Sequence, residues 1–163
     1  MKLKQIIYLT IVVLVVLGFA GFLKSRQPVK QQNASAQNSV LTADSNFYDF
    51  GSVPINGGKV EKIFQIRNPS DSSVFLKEMH TSCMCTEATL ELNGQAFGPF
   101  GMPGHAALPQ ISMPLAASAS ANVKVVFDPA AHGPSGIGTI ERVVTLVTSD
   151  GEIQFNIKAN VTP

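Results

Sequence analysis

The sequence predicts an all-β domain, a two-sheet sandwich behind one apolar N-terminal helix, on three observations. Helical periodicity is nearly absent beyond residue 45, short β-branched and aromatic runs recur between Gly, Pro, Asn and Asp, and the last run alternates strictly between apolar and polar residues. The 163 residues suffice for one ordinary core and not for two. With 45% hydrophobic and 14% charged residues, the chain is neither a disordered acidic tail nor a coiled coil.

The first element is the apolar run. After Met1-Lys2-Leu3-Lys4 the chain carries no charge for the 18 residues 6–23. At about 1.5 Å per residue this run reaches roughly 27 Å, just under the ~30 Å hydrocarbon core of a bilayer, and flanking Lys4 and Lys24 can snorkel across the difference. Its length suits an uncleaved anchor over residues 1–26 better than a cleaved signal peptide, whose single small-x-small candidate is Gly18-Phe19-Ala20. No Cys follows the run, as lipid attachment would need. The default for one N-terminal anchor is an inside N-terminus and an outside body. The expected location is therefore the cell membrane, single-pass, with an extracytoplasmic C-terminal domain. Residues 27–43, rich in Gln, Asn, Ser and Ala, read as a flexible tether, so the folded domain is expected over residues 44–163.

Within that domain, strands are expected at residues 46–50, 60–67, 73–82, 86–92, 122–127, 140–148 and 152–161. The last is the clearest. Ile153, Phe155, Ile157, Ala159 and Val161 alternate with Glu152, Gln154, Asn156, Lys158 and Asn160, which gives one buried and one wet face. Ser149-Asp150-Gly151 supplies the turn before it, since Asp-Gly accepts the positive φ of tight hairpins. Seven short strands in 120 residues (44–163) fit a sandwich of immunoglobulin type. Residues 93–115, with four Pro and four Gly, and residues 129–138, with two Pro and three Gly, read as long loops. Phe97, Phe100, Met102 and Leu108 would pack the first of these onto the body.

Charge is unevenly placed. Five of the 12 Lys and Arg precede residue 44, whereas all 11 Asp and Glu lie from Asp44 onward, so the body carries seven cations against 11 acids, net −4. Such a body, with no Trp and no Arg/Lys cluster, lacks the electrostatic footprint of a nucleic-acid binder. The partners expected are the membrane, through the N-terminal helix, and a protein of the cell envelope.

Three segments, Phe47-Tyr48-Asp49-Phe50-Gly51, Phe64-Gln65-Ile66-Arg67-Asn68 and Cys83-Met84-Cys85-Thr86, carry a resemblance. Together they resemble a bacterial family known as domain of unknown function fifteen seventy-three, whose pattern runs F-x-F-G, F-x-x-x-N and C-G-C-T. The resemblance implies an immunoglobulin-like sandwich related to the ASH/major-sperm-protein group, usually exported, with no established activity. Met84 stands where that pattern has Gly, and the Pro/Gly-rich insert around residues 97–111 is longer than the family norm.

Chemistry concentrates in one window. Both cysteines, all three histidines and every methionine but Met1 fall between residues 79 and 132. In an extended segment Cys83 and Cys85 would share a face with Cα atoms about 6.6 Å apart, close enough to converge on one metal at roughly 2.3 Å each for zinc. Thiolate, imidazole and thioether together suit Cu(I) best and Zn(II) next, and exclude Mg or Ca. The expected ligands are Cys83, Cys85, His105 and His132, the two histidines lying on the long loops. His80, Met84 and Met102 stand in reserve, His80 because strand alternation turns it away from the cysteines.

Other readings stay open. Cys83 and Cys85 could form a small-ring disulfide serving redox exchange or nothing, or remain two inert thiols. In that case the chain would be an envelope scaffold or adhesion module, with the Cys/His cluster incidental. An enzyme is not expected. The order of Cys, His and Arg differs from that of anchored β-fold transpeptidases, and no G-x-S-x-G, H-E-x-x-H or phosphate loop occurs.

Overall fold

The computed structural model describes residues 39–105 and 110–163. The expected anchor helix at 6–23 and most of the tether lie outside the described residues. Among the described residues the domain is a two-sheet sandwich of ten strands. In chain order these are β1 (Thr42–Ala43), β2 (Phe47–Pro54), β3 (Val60–Arg67), β4 (Val74–Thr81), β5 (Thr86–Leu92), β6 (Gln95–Phe100), β7 (Met113–Leu115), β8 (Ser120–Phe127), β9 (Gly138–Thr148) and β10 (Glu152–Thr162). One sheet runs β1-β3-β8-β5-β6 and the other β2-β10-β9-β4-β7. Neighbours pair antiparallel except β2, which lies parallel to β10.

Alternation places the core. The apolar residues of β10 from Ile153 to Val161 are buried, and they face Phe64 and Ile66 of β3, Val123, Val125 and Phe127 of β8, and Ala88 and Leu90 of β5. Phe64 and Phe155 meet across the two sheets with ring centroids 5.0 Å apart. The Asp150-Gly151 hairpin forms as expected, Gly151 at φ 145° and the Thr148 N–H donating to the Gly151 carbonyl at 2.7 Å. Asn68, fully buried, turns its Nδ2 to the carbonyls of Ser72, Leu115 and Ala116 at 2.7 to 3.1 Å, which explains an Asn at the end of β3.

Two expectations need correction. The domain begins before residue 44: β1 pairs with β3, Leu41 is buried, and the Val40 N–H donates to Asp150 at 2.7 Å. A tether composition therefore ran on into residues whose backbone is held by the sheet. The stretch 93–115 is not one loop either, because β6 and β7 lie inside it, and Phe100 of β6 is fully buried beneath β5. Both strands lie at sheet edges, where Pro99 and Pro114 remove no ladder bond a second neighbour would need.

Candidate metal centre

Cys83 and Cys85 lie where the chain crosses from β4 in one sheet to β5 in the other. The segment is a tight turn and not an extended run, with the Thr86 N–H donating to the Cys83 carbonyl at 3.1 Å. Met84 sits exposed at its crest, and its φ is not positive, so the turn forms without the glycine of the family pattern. Backbone bonds fix the turn from both sides. The Ser82 N–H donates to the Val143 carbonyl of β9 at 2.9 Å, the Val143 N–H returns to Ser82 Oγ at 2.9 Å, and the Asp128 N–H at the end of β8 reaches the Cys85 carbonyl at 2.9 Å. Below, buried Thr81 sets its hydroxyl 3.0 Å from the Cys83 carbonyl and 2.9 Å from that of Thr86.

His132 arrives from the loop between β8 and β9. Asp128 Oδ1 accepts the Ala130 N–H at 2.9 Å, and the Gly133 N–H donates to the Ala130 carbonyl at 2.9 Å, with Gly133 in the left-handed region at φ 57°. A Cβ at Gly136 would press on His132 Cβ at 3.1 Å, so the glycine leaves room for the histidine. The result places His132 Nε2 3.2 Å from Cys83 Sγ, while the two sulfurs are in contact at 2.7 Å. The three ligand atoms all lie within 4.8 Å of one another. Cys85 is buried, Cys83 half-buried and His132 exposed, so the group opens to solvent on one side.

Sequence reasoning passed over a fourth member, Arg142 of β9, whose Nε–H donates to Cys85 Sγ at 3.3 Å. A signal was present. Arg142 has the same strand parity as Ile140, Val144 and Leu146, all buried, so a charge stands where alternation calls for an apolar side chain.

These neighbours split the two thiols. Burial pushes the Cys83 thiol up, but hydrogen bonds from the Cys85 side chain and backbone N–H and from His132, with the Arg142 charge, outweigh it and lower its pKa from 9.0 to about 7. Burial raises Cys85, and the hydrogen bond with Cys83 raises it further, against the lowering by Arg142 and Thr86. The first proton thus leaves near neutrality from the more exposed sulfur, and the second is held.

The other expected ligands do not converge. His105 is exposed in the turn after β6, its N–H donating to the Met102 carbonyl at 3.3 Å, and it lies outside the gathered set. Its loop hangs from an edge strand, whereas the His132 loop joins two strands that flank the turn. Of the reserves, His80 faces away on β4 with Nδ1 3.4 Å from Glu78 Oε1, Met84 is exposed on the turn, and Met102 is half-buried beside His105. A cavity of about 70 Å³ adjoins the turn, lined by Lys59, Met84, Cys85, Glu87, Val126 and Asp128.

Residues 41–98 match the family described as Protein of unknown function (DUF1573), so the resemblance holds over that span and stops where the Pro/Gly-rich insert begins. No curated protein matches the sequence. Among solved structures, the chain is similar to a protein of unknown function from Porphyromonas gingivalis W83, at 16% identity and a TM-score of 0.56 over 77% of this chain and 48% of that one. The chain thus spans about half the length of that relative. It is also similar to the ASH/PapD-like domain 7 of human CEP192, at 13% identity and a TM-score of 0.46 over 77% of this chain and 87% of that one. A third similarity is to a family 123 glycoside hydrolase from Clostridium perfringens, at 8% identity and a TM-score of 0.50 over 76% of this chain and 27% of that one. At these identities the likeness concerns the fold alone.

Proposed function

We propose that the chain is a membrane-anchored, extracytoplasmic binding domain that takes one soft metal ion, copper or zinc, on Cys83, Cys85 and His132. The observation that carries this reading is the approach of two sulfurs and an imidazole nitrogen to within 4.8 Å of one another. Thiolate and imidazole donors suit Cu(I) and Zn(II), and Cys83, at about 7, deprotonates near neutrality. The backbone of the turn is held mainly by Val143 and Asp128, with one further bond from the Cys85 N–H to Cys83 Sγ at 3.4 Å. Two sulfurs on one metal stand roughly 3.8 Å apart when each bond is about 2.3 Å, so loading spreads the present 2.7 Å contact. Anchoring rests on the uncharged run at 6–23.

The sulfur contact also favours a second reading, in which the pair passes two electrons and two protons to and from a partner protein's disulfide or dithiol by thiol–disulfide exchange, and the domain is otherwise an envelope scaffold. One experiment separates the two. The reduced full chain is titrated anaerobically with Cu(I) and with Zn(II) beside the Cys83→Ala, Cys85→Ala double variant, and free thiols are counted without reductant. Tight one-to-one binding lost in the variant supports the metal site. No binding by the reduced wild type overturns it, and a thiol count near zero then favours the redox pair.

A further inference from the structure

Arg142 is the one cation that hydrogen-bonds to a sulfur of the site among the described residues, and it comes from a core-facing position of β9. Its head is doubly held, Nε–H on Cys85 Sγ at 3.3 Å and a terminal N–H on the Glu141 carbonyl at 2.8 Å. We infer that Arg142 selects the charge of the bound metal, favouring monovalent Cu(I) over divalent Zn(II). The inference rests on the metal-binding reading above and goes beyond it by naming the ion and the residue that discriminates.

Charge counting carries the argument. Two thiolates and a neutral imidazole around a monovalent ion sum to −1, which the fixed guanidinium cancels. Around a divalent ion they sum to zero, and Arg142 is then an uncompensated cation beside a half-buried centre. A guanidinium does not deprotonate in proteins, so the penalty is not relieved by proton loss. Of the other charges near the turn, Lys59 and Glu87 pair with each other at 3.8 Å, and Asp128, which keeps its negative charge while accepting the Ala130 N–H, makes no hydrogen bond to a sulfur, as Arg142 does.

The test is the ratio of Cu(I) to Zn(II) affinity, measured anaerobically on the full chain by competition with chelators of known affinity. Arg142→Gln and Arg142→Met, two neutral variants that bracket any folding defect, are expected to lower the ratio about tenfold or more. Arg142→Lys, which keeps the charge, is expected to return most of it. An unchanged ratio with both metals still bound overturns the role of Arg142 and leaves the metal site standing. Equal loss of both metals in the neutral variants overturns the charge argument as well and makes Arg142 a residue that only positions Cys85. Binding of neither metal by the wild type overturns the site itself.

Discussion

The two sheets meet in two chemically different ways. At mid-sandwich, Phe64 and Phe155 close on each other with nothing polar between them, and dispersion and exclusion of water hold the contact. At the end where β4 crosses to β5, backbone hydrogen bonds hold the turn to Val143 and Asp128, and the side chains left over are two thiols, an imidazole and a guanidinium. The difference teaches that stability and chemistry are separable in this fold. Site side chains carry little of the turn's structure, so they are free to titrate, oxidise or take a ligand.

The largest effect that bears on this separation is at the centre. Phe155→Ala is expected to cost about 3–5 kcal/mol, a large share of the roughly 5–15 kcal/mol a domain of this kind has. Urea unfolding of the variant measures it. The separation predicts that whatever fraction remains folded keeps a Cys83 of ordinary site reactivity. Loss of that reactivity in the folded fraction would show that the turn depends on the core more closely than its hydrogen bonds imply.

How much of this was legible in the sequence follows the same division. Strands flanked on both sides declare themselves, because each must bury every second side chain: β3, β4, β5, β8, β9 and β10 were all anticipated, β3 and β5 to the residue. The strands that escaped, β1, β6 and β7, are all edge strands, short or carrying Pro, where no second neighbour enforces a pattern. At the site, three of the four expected ligands converge, because Cys83, Cys85 and His132 sit on connections between strands that the topology brings together. His105 does not, and no spacing rule distinguishes one Gly/Pro-flanked loop histidine from another. Arg142 was legible as a charge at core parity on β9. So was Lys62 on β3, which answers the same problem differently, with Nζ 5.0 Å from the centroid of the Tyr48 ring and 5.7 Å from that of Phe64.

A middle-sized effect tests the chemical end directly. Alkylation of Cys83 by iodoacetamide, followed by mass spectrometry across pH, is expected to rise with a midpoint of about 7 rather than the ordinary 9.0, while Cys85 reacts slowly. His132→Ala removes one of the stabilising hydrogen bonds and moves the midpoint back up. The sign for stability follows from the lowered value: Cys83 contributes fully above pH 9.0 and loses its contribution as pH falls through about 7. Cys85, raised, counts in the opposite sense. The two act in different windows, so stability rises from about pH 7 to 9.0 with Cys83 and falls above 9.0 with Cys85. A midpoint at 9.0 in the folded protein would remove the chemical distinction between the two ends.

The smallest effect lies at neither end. Asp150, in the β9–β10 hairpin, accepts the Val40 N–H at 2.7 Å and the Thr148 hydroxyl at 2.6 Å, tying residues 39–41 to the sheet. Burial raises its carboxyl, but hydrogen bonds from Thr148, from the backbone N–H groups of Val40 and Asp150 and from Ser39 hold it below its ordinary 3.8. Its contribution is thus complete above that value and lost as pH falls through the lower folded one. Asp150→Ala is expected to cost only about 0.5–1 kcal/mol at neutral pH, and less in acid, where the wild type loses the same contribution. Hydrogen exchange of the Val40 amide reads the effect locally. If that amide exchanges faster while the core amides do not, the first strand is held by this carboxylate rather than by Leu41 in the core. If Val40 stays protected, the apolar contact alone suffices, and the hydrogen-bonded mode of attachment is confined to the turn that carries the thiols.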